Sequence, residues 1–164
     1  MTKNNFNMNE FSHSILLNAP LEEVFRYSAT PNGLTKWFIG AAEYTHSGKP
    51  VPGEELISTG DTYNWKWLAK DFETTGKVVE VIKDERLKFT FGSMFEITIS
   101  VAAENNRTRF TLTQNYTAGA VKNDFAHINC CVCWAFFITN LKSVIEHGID
   151  LRETVSQDEY LVNR

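Results

Sequence analysis

The chain has 164 residues, 43% of them hydrophobic, with a formal charge of −4 and a pI near 5.6. That size suits one domain with a full core and leaves little for a second. The acidic balance excludes the basic face that a nucleic-acid partner would need, and no run of about 18 apolar residues is present to span a membrane.

Residues 1–10 are polar and Asn-rich, without the basic-then-apolar order of a signal peptide. They are expected to form a mobile tail, and a soluble, cytoplasmic protein is the default expectation. Residues 11–17 are β-prone and end at Asn18-Ala19-Pro20. Pro20 suits a helix start, Glu22 and Glu23 suit its positive end, and Leu21, Val24 and Phe25 share one face. Thr30-Pro31 repeats the start signal, and Leu34, Trp37 and Phe38 follow before Gly40. Two short helices are therefore predicted, with Trp37-Phe38 as a plug at the sheet end.

Residues 41–46 read as a strand and residues 47–60, with three glycines and two prolines, as a long irregular loop. A loop of that length is a candidate gate. Tyr63, Trp65 and Trp67 alternate with polar or smaller residues, the period of a half-buried strand. Residues 74–82 make the next strand. Leu87, Phe89 and Phe91 then recur at spacing two, as do Phe95, Ile97, Ile99 and Val101. Glu104-Asn105-Asn106-Arg107 is a hairpin turn, and Phe110, Leu112 and Gln114 share the apolar parity beyond it. About six strands follow the helical pair, joined as antiparallel neighbours. Residues 121–147 read as one long helix ending at Gly148. Trp134, Ile138, Leu141 and Ile145 form its apolar stripe, widened by Cys130, Phe137 and Val144. Lys142, Glu146 and Arg152 are expected on a solvated face, and Asp150 opens a polar tail.

Cys130, Cys131 and Cys133 sit within one helical turn, which is no disulfide framework and fits helix packing in a reducing compartment. His127, Cys130 and Cys131 share a helix face, but no fourth ligand stands at a recognisable spacing, so no metal site is expected. Asp124 precedes His127 by three residues and could orient it as a base, yet no nucleophile, phosphate loop or metalloprotease motif accompanies the pair. No catalytic residue is assigned, and no cofactor is expected.

The order of strand, two short helices, antiparallel strands and long C-terminal helix resembles the α+β helix-grip fold, in which a curved antiparallel sheet wraps a long C-terminal helix. START lipid-transfer domains, the birch pollen allergen family and polyketide cyclases share that fold. More narrowly, the chain resembles the family named for activators of the heat-shock-protein-90 ATPase. The resemblance rests on Ala19-Pro20, Val24 and Phe25, then on Pro31, Gly33, Leu34, Trp37 and Phe38. It continues through Gly76, Val78, Val81, Leu87 and Phe89 to Trp134, Phe137, Leu141, Lys142, Glu146 and Gly148. It departs at Cys133, where the family often has glycine, and in the length of residues 47–60. It covers residues 11–152, leaving 153–164 as a polar tail.

The resemblance implies a cavity between sheet and helix that holds a small hydrophobic or amphipathic molecule, a lipid among the candidates. The expected ligand-binding set is Trp65, Trp67, Phe89, Phe91, Phe95, Phe110, Leu112, Gln114, Cys130, Trp134 and Phe137. Read without the resemblance, plain core is the usual reading of such aromatics on a sheet, and Gln114 could equally be a strand end in solvent. Two other classes stay open. One is a cyclase- or hydrolase-like enzyme using His127 or Asp124. The other is a chaperone-regulating interaction protein. A homodimer is also left open.

Overall fold

In the computed structural model, residues 7–68, 70–155, 158, 161 and 162 are described. The expected N-terminal tail thus lies outside the described residues up to residue 6, and the expected C-terminal tail lies partly outside them. The elements in chain order are β1 (Glu10–Leu17), α1 (Leu21–Ala29), α2 (Pro31–Thr35), β2 (Ala41–His46), β3 (Lys49–Pro50), β4 (Thr62–Lys66), β5 (Glu73–Ile82), β6 (Arg86–Phe91), β7 (Phe95–Glu104), β8 (Arg107–Tyr116) and α3 (Asp124–His147). One eight-stranded sheet runs β1-β8-β7-β6-β5-β4-β2-β3, antiparallel throughout.

The sequence reading lacked β3. It arises because Ser47 and Gly48 both take positive φ, 49° and 80°, and let Lys49 fold back to pair with His46. Asn105 and Asn106, at φ 48° and 61°, do the same between β7 and β8. Paired positive-φ residues match the twist of the strands they join. Farther along, residues 47–60 are tethered rather than loose. Asn32 N–H donates to the Gly53 carbonyl, Ile57 N–H to that of Ala29, and the Arg26 guanidinium to that of Glu54.

A register shift between Val78 and Glu80 interrupts the β5–β6 ladder. Such irregularities bend a strand and sharpen its twist. Gly76 helps from the other side. A Cβ there would come 2.4 Å from the Tyr63 hydroxyl and 2.7 Å from the Thr90 carbonyl, the two groups that hydrogen-bond across it. Only glycine leaves Tyr63 room to cross β5.

α3 begins three residues later than the apolar pattern predicts, because Asn123 caps it by accepting from Ala126 N–H. It ends as expected at Gly148, whose left-handed φ of 68° suits a residue without Cβ. By length and composition α3 could cross a membrane, yet in the structure its Trp134, Phe137, Ile138 and Leu141 are buried as part of the core.

The expectation of a solvated face for Lys142, Glu146 and Arg152 is corrected. Lys142 donates to the Leu16 carbonyl and to Glu146, and Glu146 accepts the Asn18 N–H, so the pair fastens α3 to the end of β1. Arg152 donates to the carbonyls of Thr35 and Ile39 and to Asp150. The buried Asn140 adds a bond to the Trp37 carbonyl. These charges act on backbone carbonyls, which hydropathy patterning does not register. Together they hold Trp37, Phe38 and Ile39, all buried, against α3.

Candidate functional site

Phe38 leaves the end of α2 and enters the space between sheet and helix. Its ring stacks on Trp134 at 4.6 Å and meets Trp65, Trp67 and Phe137 edge-on at 5.6, 5.4 and 4.9 Å. Offset and edge-to-face aromatic pairs of this kind each add about 0.5–1.5 kcal/mol beyond burial. On one side of this plug the interior is solid. Trp37, Phe110, Leu112 and Ile99 are buried there, with Trp37 edge-on to Phe110.

On the other side lies a cavity of about 440 Å³. Phe38, Phe95, Trp134 and Phe137 are buried around it, with Trp67, Thr74, Phe91, Met94 and Cys130 half-buried. Its rim is exposed and comes from three places: Lys70 and Phe72 before β5, Gly92 and Ser93 in the β6–β7 turn, and Asn129 and Cys133 on α3. Phe72 is 59% exposed. Among the described residues, Lys70 is the only charged one lining the cavity.

Of the residues expected from sequence, Trp67, Phe91, Phe95, Cys130, Trp134 and Phe137 meet at this cavity. Trp65, Phe89, Phe110, Leu112 and Gln114 do not line it. They face inward as alternation requires, but the Phe38 ring and neighbouring side chains occupy the space above them. Trp65, for example, stacks on Tyr63 at 4.0 Å and meets Phe89 edge-on at 5.3 Å. Gln114 is fully buried, so the solvent-facing alternative for it falls away.

The sequence reading missed Phe38, Lys70, Phe72, Thr74, Gly92, Ser93, Met94, Asn129 and Cys133 as cavity residues. Phe72 and Met94 were legible as large apolar residues in turn segments. Phe38 was read as a plug at the sheet end and Cys133 as a departure from the family pattern, and the rest carry no signal of their own.

Burial raises all three thiols. Cys130 is pushed up to about 11, with its neighbour Cys133 adding to the rise and Gln114 opposing it. Cys131 and Cys133 also rise through burial, although Lys70 pulls Cys133 the other way. The thiols are therefore protonated at neutral pH and poor nucleophiles. Among the described residues no group of three or more His, Cys, Asp or Glu is arranged to hold a metal ion. His127 is fully buried behind Phe95, off the cavity wall, and Asp124 stands exposed at the start of α3. Burial lowers the pKa of His127, and the opposing pull of Asp124 is weaker.

A curved antiparallel sheet closed by one long helix, with an aromatic cavity between them, defines the helix-grip class. The chain belongs to the family described as Activator of Hsp90 ATPase homolog 1-like protein, which matches residues 18–146. None of the curated proteins compared matches the chain. Solved structures share the fold at low identity. A protein from Staphylococcus saprophyticus superposes with a TM-score of 0.69 at 19% identity, covering 87% of this chain and 96% of its own. The Aha1 dimer from Colwellia psychrerythraea gives 0.65 at 22%, covering 85% and 97%. A protein from the dynemicin biosynthetic locus gives 0.65 at 16%, covering 87% of this chain and 49% of its own.

The buried His127 has a consequence for stability. The unfolded chain binds the imidazole proton near the ordinary histidine value of 6.5, whereas the folded chain binds it only at lower pH. Where the unfolded state holds more protons, stability rises with pH. The penalty from His127 is therefore absent above the ordinary value, grows as pH falls through it, and levels off below the folded value. Urea midpoints measured from pH 7.5 to 5 should fall for wild type and fall less for His127→Phe. Parallel pH profiles for the two proteins would contradict this.

Proposed function

We propose that this chain is a soluble, cytoplasmic, single-domain module. In this reading it binds a small hydrophobic or amphipathic molecule, a lipid among the candidates, in the cavity between sheet and α3. One observation carries the reading: a cavity of about 440 Å³ walled by Trp67, Phe91, Trp134 and Phe137 and open at one rim. Small-molecule pockets span roughly 300–1,000 Å³ and are mostly apolar with a few polar groups. Burying apolar ligand surface, at about 25 cal/mol per Å², would supply the affinity. The enzyme reading has less support, because neither His127 nor Asp124 lines the cavity and the thiols that do are held protonated. The chaperone-regulating reading rests on the family's description alone.

The neutral probe N-phenyl-1-naphthylamine should bind saturably, one per chain, and quench tryptophan emission, since Trp67 and Trp134 stand on the wall. Cys133→Trp places an indole at the exposed rim and should weaken binding by about tenfold, roughly 1.4 kcal/mol, without lowering the melting temperature. No saturable binding, or unchanged binding in the variant, would contradict the assignment.

A second copy of the chain is the proposed partner for the outer face of α3. From Phe125 to Leu141 the helix carries no Asp, Glu, Lys or Arg. Phe125, Ile128, Val132, Ala135 and Thr139 recur at alternating steps of three and four, the spacing of a helix–helix seam. The first three are 81%, 46% and 64% exposed. A net acidic chain with no cation on this face suits a like helix better than an anionic membrane, and one structure of similar fold is described as a dimer. Sedimentation equilibrium at tens of micromolar should give a dimer for wild type and a monomer for Val132→Asp. A monomeric wild type would remove this part of the proposal.

A further inference from the structure

The wall of the cavity and its rim differ in what they offer a ligand. Two indoles stand on the wall, and both are already committed as donors. Trp134 Nε1 donates to Gln114 Oε1 at 3.1 Å, and Trp67 Nε1 donates to Thr74 Oγ1 at 2.9 Å. An indole has one donor and no acceptor, so neither has anything left for a second group. Phe38, Phe95 and Phe137 supply further buried wall, and half-buried Phe91 continues it. A charged group pushed against these rings would lose its water without replacement, which is costly.

The rim is different. Lys70, Ser93 and Asn129 are exposed there, a cation, a hydroxyl and an amide from three separate parts of the chain. The bond from Trp67 N–H to the Phe72 carbonyl closes the β4–β5 connection and sets Lys70 near its tip. Its charge acts on the Cys133 thiol of α3, the opposite side of the mouth. Among the described residues, Lys70 takes part in no ion pair. No acidic residue lines the cavity among them either, not even Asp71 beside it in sequence. Across the mouth, Thr117 holds the β6–β7 turn from behind, its N–H and Oγ1 both donating to the Met94 carbonyl. Phe72 and Met94 give the same rim an apolar lip.

We infer that the cavity takes a single-chain carboxylate, a fatty acid, with its tail against the aromatic wall and its carboxylate at the mouth beside Lys70. This rests on the ligand-binding reading and specifies its ligand class and direction of entry. Ser93 and Asn129 are the neutral donors on the same rim. At an exposed mouth the carboxylate keeps part of its water, so the attraction to Lys70 is not offset by full desolvation. One lysine on a chain of net charge −4 is too little to hold an anionic membrane, which favours a single molecule over a lipid surface.

The test displaces N-phenyl-1-naphthylamine at pH 7.5 and low salt with decanoate and with decylammonium, which share one alkyl chain and carry opposite charges. Wild type should prefer decanoate about fivefold, against the pull of its own net negative charge. Lys70→Gln should bring the ratio to about one or below, and Lys70→Glu should reverse it. Lys70 is exposed, so both variants should melt with wild type. An equal or inverted preference in wild type overturns the assignment, as does a preference for decanoate that survives in Lys70→Gln. Displacement by neither compound, where the probe itself binds, overturns it too. Failure of the probe to bind wild type would instead defeat the ligand-binding reading on which the assignment depends.

Discussion

The position of the Phe38 ring decides where this molecule is solid and where it is hollow. A curved sheet and a single helix leave more space between them than the sheet's own side chains can fill. Phe38, carried in by two short helices, divides that space. The ring stays in place because the backbone around it is held from both ends of the chain. Thr30 caps α2 by accepting Gly33 N–H, and the Trp37 indole donates to the Tyr27 carbonyl. Asn140 and Arg152 reach back from the C-terminal part to the carbonyls of Trp37, Ile39 and Thr35. Hydrogen bonds from charged groups to buried carbonyls are individually worth more than neutral ones. Here they fix a wall of the cavity rather than add to its contents.

Much of the fold was legible in the chain. Period-two alternation marked β4, β6, β7 and β8, whereas β1, β2 and β5 were placed as strands without it. The apolar stripe of Trp134, Ile138 and Leu141 marked the helix face that is buried. The helix start was misplaced because apolar periodicity continues past the cap at Asn123. The two-residue β3 was missed because its signal lies in the backbone conformation of Ser47 and Gly48, not in apolar spacing. Arg152 and the Lys142–Glu146 pair look like surface charges in one dimension, and only their distant carbonyl partners make them structural.

The cavity was harder to read for a related reason. Alternation tells which strand residues face inward, and it picked out the eight expected residues outside α3, from Trp65 to Gln114. It does not tell which inward positions are covered by another side chain. Trp65, Phe89, Phe110 and Leu112 are covered, whereas Trp67, Phe91 and Phe95 are not. The rim residues Lys70, Phe72, Ser93 and Met94 come from short connections, whose placement depends on the strands they join. Gln114 shows the limit most clearly. Its polar identity on an apolar parity was visible in sequence, but the bond that Trp134 Nε1 donates to its Oε1 became visible only in the structure.

The account rests on a cavity that is occupied by a small, mainly apolar molecule when the protein is at work. Native mass spectrometry of the chain purified from the cells that make it tests this most directly. The expected spectrum shows the chain plus a discrete small mass that disappears on denaturation in organic solvent and is absent when Cys133→Trp is expressed in the same cells. A spectrum of bare chain alone, unchanged after the cell's apolar extract is added back, would contradict it.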